Sequence, residues 1–124
     1  MSDDLYLLVV DDLPDNLALL QFMLEAEGYQ VETAENGKLA LSKVWDAPPA
    51  LIMLDVMMPD LNGCEVARQI RKNPALPSMP ILLVTAHKDI NLTEAIEAGA
   101  NDLIHKPLDI DEVLGKVKTF LHRE

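Results

Sequence analysis

The sequence predicts an α/β fold in which a five-stranded parallel sheet carries helices on both faces. Five short apolar segments alternate along the chain with five segments in which apolar residues recur at helical spacing. This alternation is typical of parallel sheets, because parallel strands are joined by crossover connections that are usually helices. Several of the apolar segments are continuous, which indicates strands that are buried on both sides. Right-handed crossovers leave few topologies for such a chain.

The predicted elements divide the chain without an internal repeat or a linker, so we expect residues 1–124 to form a single domain. The predicted strands run from Leu5 to Val10, Tyr29 to Ala34, Ala50 to Leu54, Pro80 to Val84 and Ala100 to His105. The predicted helices run from Pro14 to Gly28, Gly37 to Trp45, Cys64 to Lys72, Asp89 to Ala98, and from Asp109 or Asp111 to about His122. Proline in a first turn and glycine after a last turn support the first helix.

The composition excludes several classes of protein. A formal net charge of −11 disfavours direct nucleic-acid binding, which needs clustered Lys and Arg. The apolar runs are much shorter than the roughly 20 residues of a membrane span, and the acidic N-terminus does not resemble a secretory signal. The single cysteine, Cys64, rules out an internal disulfide. We therefore expect a cytoplasmic protein that binds neither nucleic acid nor membrane.

Polar side chains stand at the carboxyl ends of four predicted strands. Asp11 and Asp12 follow the first strand, Asp55 the third, Thr85 the fourth and Lys106 the fifth. Ligands of open α/β sheets bind outside these strand ends, so we expect the five residues to converge there. Clustered carboxylates suit Mg²⁺. No P-loop and no G-x-G-x-x-G pattern is present, so we expect no nucleotide cofactor.

Each of these residues also has a structural interpretation when taken alone. Asp12 could cap the first helix, and Asp55, Thr85 and Lys106 could be ordinary strand-end or surface residues. These structural interpretations lose support when the five residues are considered jointly, because one fold places all of them at the same edge of the sheet. Other conspicuous side chains are interpreted as packing groups or non-ligands: Trp45, Cys64, Met57, Met58 and the three histidines, His87, His105 and His122.

Five short motifs occur in a specific order along the chain. They are Val9-Val10-Asp11-Asp12, the segment from Leu54 to Gly63 (LDVMMPDLNG), Val84-Thr85-Ala86, Gly99-Ala100-Asn101-Asp102 and Lys106-Pro107. In this order and at these spacings they resemble the receiver domain of two-component response regulators. The resemblance covers essentially the whole chain.

The resemblance implies a flavodoxin-like doubly wound fold with strand order 2-1-3-4-5. It implies that Asp55 accepts a phosphoryl group from a sensor histidine kinase or a histidine phosphotransfer protein. Mg²⁺ would be bound by Asp12, Asp55 and the backbone carbonyl of Met57, with Asp11 acting largely through water. Thr85 would hydrogen-bond the bound phosphoryl group and Lys106 would pair with it, with a cis peptide before Pro107. The phosphorylated state would alter binding of a downstream protein or output domain.

The chain departs from the family at two positions after the fourth strand. Leu103 stands where an aromatic residue is usual, three positions before Lys106, and Leu108 stands where phenylalanine is common. Two alternative functions remain open. One is an aspartyl-phosphate phosphatase, which would need an acid at the position of Met57. The other is a receiver-like interaction module that is never phosphorylated.

Overall fold

The computed structural model describes residues 5–86, 88 and 90–121 and confirms the predicted α/β fold. Its sheet has five parallel strands in the order β2-β1-β3-β4-β5. The strands are β1 (Leu7–Val10), β2 (Val31–Ala34), β3 (Leu51–Asp55), β4 (Ile81–Thr85) and β5 (Asp102–His105). The helices are α1 (Pro14–Ala26), α2 (Gly37–Asp46), α3 (Gly63–Lys72), α4 (Leu92–Glu97) and α5 (Ile110–Leu121).

The sheet separates two hydrophobic clusters. Every residue of β1, β3 and β4 is buried, which explains their continuous apolar sequences. Because side chains alternate along a strand, Ile52 and Leu54 join the cluster under α2, α3 and α4, whereas Leu51 and Met53 join the cluster under α1 and α5. None of the helices in the described residues is long and apolar enough to cross a membrane.

Two helix starts are set by side chains that accept hydrogen bonds from the first turn. Helix α4 is shorter than predicted, because Asn91 caps it and forms a reciprocal capping box with Glu94. Helix α5 begins after Asp109, whose carboxylate accepts a hydrogen bond from the Glu112 N–H at 3.1 Å, which confirms the first of the two predicted starts. Asp89 and His122, which bounded the predicted helices, lie outside the described residues.

Some packing interpretations are wrong. Trp45 is 44% exposed, because Ala40, Leu41 and Val44 already form the inward face of α2. Met57 is 53% exposed, since it lies in the loop after β3 and not in the core. Met58 and Cys64 are partly buried and do pack against the core, as predicted. His87 also lies outside the described residues.

Candidate functional site

Three carboxylates meet at the carboxyl edge of the sheet. Asp11 and Asp12 follow β1, and Asp55 is the last residue of β3, the strand beside β1. One carboxylate oxygen of each lies within 4.8 Å of the others. Asp11 is 1% exposed and Asp55 is 3% exposed, while Asp12 is half-buried. The predicted convergence of the acids is therefore present.

Lys106 brings a positive charge to this cluster. It follows β5, and its Nζ lies 3.2 Å from Oδ2 of Asp11 and 3.5 Å from Oδ2 of Asp55. The peptide bond between Lys106 and Pro107 is cis, as the resemblance implied. Thr85 ends β4, between the strands that carry Asp55 and Lys106, and is fully buried. All five predicted side chains thus stand at one edge.

Asp11 is held in place by the start of α1. Its Oδ1 accepts a hydrogen bond from the backbone N–H of Leu13 at 3.0 Å, and its Oδ2 accepts one from the side-chain amide of Asn16 at 3.2 Å. The residue before α1 is Leu13, and no side chain caps that helix. The interpretation of Asp12 as a helix cap is therefore wrong, and its carboxylate belongs to the acidic cluster instead.

The environment of Asp55 disfavours its charged form. Burial and, second, the negative charge of Asp11 raise the pKa of Asp55 from 3.8 to about 6, although Lys106 and the backbone N–H of Met57 act in the opposite direction. The Met57 N–H lies 3.4 Å from Oδ1 of Asp55. The site thus holds a carboxylate that gains from any further positive charge placed beside it.

The donor set fits a magnesium ion. Three carboxylates face a single ammonium group, so the cluster carries excess negative charge in a partly buried place. Mg²⁺ is bound through one or two carboxylates while its remaining ligands are waters or phosphate oxygens. The three oxygens lie close enough for one cation to contact several of them. Asp11, Asp12 and Asp55 are therefore suitable residues to hold Mg²⁺.

The loop between β3 and α3 is fixed at its base. The Gly63 N–H donates to the Val56 carbonyl at 2.9 Å, and the Asn62 side chain caps α3 by accepting from the Cys64 N–H at 2.7 Å. A Cβ on Gly63 would lie 2.2 Å from the backbone oxygen of Asp55. Only glycine can therefore let α3 start so close behind Asp55.

Two polar residues near this site were missed by the sequence analysis. Asn16 orients Asp11, and the carboxylate of Asp60 accepts hydrogen bonds from the N–H groups of Gly37 and Lys38. Asp60 is separated from its partners by a large stretch of sequence. No local pattern could have indicated that contact.

A model of the family described as the response regulator receiver domain matches residues 7–118. This chain belongs to that family. The match covers most of the chain and includes the acidic residues, Thr85 and Lys106. The chain is thus a receiver domain of two-component response regulators, a class of signalling domains.

Relatives of similar sequence include proteins named as transcriptional regulators. The receiver domain is 42% identical to a "Transcriptional regulatory protein CpxR homolog" of Haemophilus influenzae, with 94% of this chain and 50% of the relative covered. It is also 42% identical to the "Alkaline phosphatase synthesis transcriptional regulatory protein PhoP" of Bacillus subtilis, with 94% and 48% covered. The chain therefore spans about half the length of these relatives.

Solved structures of receiver proteins share the fold. A CheY-like receiver domain protein of Methanospirillum hungatei has a TM-score of 0.87 and 31% identity, with 94% of this chain and 93% of that one covered. The response regulator TrrA of Thermotoga maritima, solved in complex with Mg²⁺ and BeF, has a TM-score of 0.85 and 38% identity, with 94% and 99% covered.

Proposed function

We propose that this receiver domain is a phosphorylation-dependent switch in which Asp55 accepts the phosphoryl group. The observation that carries the proposal is the position of Asp55, a buried carboxylate 3.5 Å from the ammonium group of Lys106 and within reach of two further acids. Three carboxylates outnumber the single positive charge of Lys106, so they would repel an incoming phosphoryl group unless a further cation were bound. The cluster therefore suits a phosphoryl-transfer site in which a bound metal ion supplies the missing positive charge.

The phosphoryl donor would be a phosphohistidine of a sensor histidine kinase or a histidine phosphotransfer protein. A carboxylate oxygen of Asp55 forms the new O–P bond as the P–N bond of the donor breaks, and the electron pair of that bond remains on the imidazole nitrogen. Asp55 must be ionised to attack. Lys106 favours that form, because its positive charge lowers the pKa of Asp55 against the effects of burial and Asp11.

The chain's own residues supply positioning and charge. The Lys106 ammonium would pair with the equatorial oxygens of the transferred group, and the Thr85 hydroxyl at the neighbouring strand end would hydrogen-bond it. Asp12, Asp55 and the backbone carbonyl of Met57 would hold Mg²⁺, with Asp11 acting largely through water. When bound, Mg²⁺ supplies positive charge that lets the carboxylate and the phosphoryl oxygens approach each other.

The phosphodonor must dock over the carboxyl edge of the sheet to reach Asp55. Two large apolar side chains lie exposed in the loops that carry the acids, Leu13 at 53% and Met57 at 53% exposure. Methionine is enriched in protein interfaces, so the exposed Met57 suits a contact with a protein donor. The phosphorylated form would then act on a downstream protein or an output domain, and we assign both steps to the cytoplasm.

No observation favours the two alternatives. A phosphatase that turns over a free ester would need a proton donor two residues after the nucleophile, and the Met57 side chain cannot exchange a proton. An unphosphorylated interaction module would leave the costly burial of Asp11 and Asp55 side by side without a purpose. The domain would thus catalyse only its own phosphorylation and dephosphorylation.

Acetyl phosphate with Mg²⁺ tests the proposal directly. Intact-mass spectrometry should detect one added phosphoryl group on the wild type and none on Asp55→Asn, and chelation of Mg²⁺ should abolish the addition. Asp46→Asn, which removes an exposed acid on α2, is the matched control and should label like the wild type. Equal labelling of Asp55→Asn and the wild type would rule out Asp55 as the acceptor.

A further inference from the structure

The loop that follows Asp55 is attached at its tip to a helix outside the site. The two carboxylate oxygens of Asp60 accept separate hydrogen bonds from the backbone N–H groups of Gly37, at 3.0 Å, and Lys38, at 2.9 Å. Both donors lie in the first turn of α2. The first N–H groups of a helix have no partners within the helix. A carboxylate there accepts their hydrogen bonds and also interacts favourably with the positive end of the helix dipole.

The contact between the loop and α2 is also close in space. A Cβ on Gly37 would lie 2.7 Å from Cβ of Leu61 and 3.1 Å from Cγ2 of Val66. The absence of a side chain at Gly37 therefore lets the backbone of α2 approach the loop. Asn36 caps the same helix turn by accepting from the Leu39 N–H at 2.7 Å, but Asn36 does not belong to the loop.

The loop is also held near its middle by packing, since Met58 and Leu61 are partly buried against the core cluster. Its base is closed by the hydrogen bond from Gly63 to Val56 and by the Asn62 cap of α3. Between these points it carries Met57, whose N–H faces Asp55 and whose carbonyl is assigned to the metal in the proposed function. Asp60 is the residue of this segment whose side chain hydrogen-bonds to α2.

We infer that Asp60 is a positioning residue for the phosphoacceptor site, because it holds the loop that carries Met57 against the N-terminus of α2. The inference rests on the proposed function, since it assumes that Mg²⁺ and the phosphoryl group bind beside Asp55. It also makes α2 an element whose first turn responds to occupancy of the site. By linkage, if the contact favours ligand binding, then bound ligand must favour the contact to the same extent.

Magnesium affinity is the first readout. Isothermal titration of Mg²⁺ into Asp60→Ala should give a dissociation constant about tenfold higher than in the wild type, as is typical when a residue that orients a metal site is removed. Asp60→Asn should give an intermediate value, because its amide has one acceptor oxygen instead of two. The acidic cluster itself is unchanged in both variants.

Asn36→Ala is the matched control. It removes the other side-chain cap from the same helix turn and leaves the loop intact, so it should lower the melting temperature but keep the magnesium affinity of the wild type. Gly37→Ala attacks the contact from the side of α2, because its new methyl group meets Leu61. It should weaken Mg²⁺ binding although Asp60 is still present.

Amide hydrogen exchange followed by NMR is the second readout, and it does not depend on phosphorylation. Addition of Mg²⁺ and beryllium fluoride should slow exchange of the Gly37 and Lys38 amides severalfold in the wild type, and this slowing should be lost in Asp60→Ala. The Leu39 amide, whose partner is Asn36, serves as the internal reference. It should change less.

The outcomes separate the inference from the function beneath it. If the wild type fails to bind Mg²⁺, the proposed function fails and the inference fails with it. If the wild type binds Mg²⁺ but Asp60→Ala binds it equally well, only the inference is wrong. If Asp60→Ala and Asn36→Ala weaken binding to the same degree, general loosening of α2 explains the effect, and Asp60 has no positioning role of its own.

Discussion

The ammonium group of Lys106 lies 3.5 Å from Oδ2 of Asp55. Asp55 ends β3 and Lys106 follows β5, and β4 lies between these two strands. The same ammonium lies 3.2 Å from Oδ2 of Asp11. One cation therefore serves two buried carboxylates, and its loss would leave both of them with a like-charged neighbour. This arrangement decides how the metal-free domain responds to mutation and to pH.

Replacement of Lys106 by methionine should destabilise the domain strongly in the presence of a chelator. Removal of one partner from a buried ion pair typically costs about 3 kcal/mol or more, because the remaining charge stays buried and unpaired. Chemical denaturation at pH 7.5 gives the free energy of unfolding. The double variant Lys106→Met/Asp55→Asn should recover part of the loss, since one of the two buried charges is then absent. Because Asp55→Asn alone is also expected to stabilise, coupling requires a larger gain from this substitution in the Lys106→Met variant than in the wild type, and an equal gain in both would contradict it.

The pH dependence of stability follows from the raised pKa of Asp55. The folded carboxyl titrates near 6 and the ordinary value is 3.8, so between these values the folded state binds more protons than the unfolded state. Stability from this group is therefore fully present below about 3.8 and is lost as the pH rises through about 6. In chelator, Asp55→Asn should be more stable than the wild type at pH 7.5 by an amount on the order of 2 kcal/mol.

The matched measurement is the same comparison at lower pH. Thermal melts of both proteins at pH 4.5 should narrow the difference between the two midpoints, because the wild-type carboxyl is then mostly protonated in the folded state. Other titrating groups are common to both proteins, so the difference between them reports Asp55. A constant difference from pH 4.5 to pH 7.5 would show that the pKa of Asp55 is not raised.

The central strands and their polar ends were predictable because each signal is local. A strand buried on both faces needs a continuous apolar run, and β1, β3 and β4 have one. The order of strands then brings Asp11, Asp55 and Lys106 together, whatever their separation in sequence. The resemblance to the family added the cis peptide before Pro107, which the structure contains, and the role proposed for Thr85. The convergence of Asp11, Asp55 and Lys106 follows from topology and not from side-chain detail.

The interpretations that failed depend on which face of a helix a residue occupies or on where the helix starts, and the contact that was missed joins distant segments. Trp45 was assigned to packing on its residue type alone, but the inward positions of α2 are taken by smaller residues and Trp45 falls on the outer face. Asp12 has the residue type of a helix cap, yet the residue directly before α1 is Leu13. The contact of Asp60 with α2 exists only because the fold brings the loop after β3 close to the first turn of that helix.

Asp12→Asn should stabilise the metal-free domain. Asp12 adds a third negative charge within 4.8 Å of Asp11 and Asp55, and a like-charge pair at about 4 Å costs on the order of 4 kcal/mol at an effective dielectric near 20. Solvent around the half-buried Asp12 reduces this cost, so the expected rise in the melting temperature in chelator is a few degrees.

The same substitution should remove the effect of magnesium. Mg²⁺ that binds only the folded state raises the wild-type midpoint by ligand linkage, and Asp12→Asn should show little or no such rise at the same concentration. Asp15→Asn, an exposed acid of α1, is the control for general charge effects. A variant that melts below the wild type in chelator, or that keeps the full response to Mg²⁺, would argue against a metal-binding role of Asp12.

Leu103 should limit how far the phosphorylation signal spreads through β5 and α5. Its side chain is 6% exposed and packs in the cluster that contains Ala95 and Ala100. An aromatic ring, the usual residue at this position in the family, could change the outer surface by moving inward. Leu103 is already buried and has little surface to withdraw. A ligand shifts a conformational equilibrium only through its differential interaction with the two states. With Leu103 in place of a ring, the change in outer surface between the two states is smaller.

Hydrogen exchange with and without beryllium fluoride and Mg²⁺ tests this limit. We expect strong added protection in residues 57–62 and 86–91, which follow Asp55 and Thr85 in the chain, and little change in residues 100–105 and along α5. Leu103→Tyr restores a ring at that position, and it should extend protection toward β5 and α5 if the missing ring is what confines the response. Protection as large across residues 100–121 of the wild type as in the loops would show that Leu103 transmits the switch, because a buried leucine would then be coupling Thr85 to the outer face without any ring.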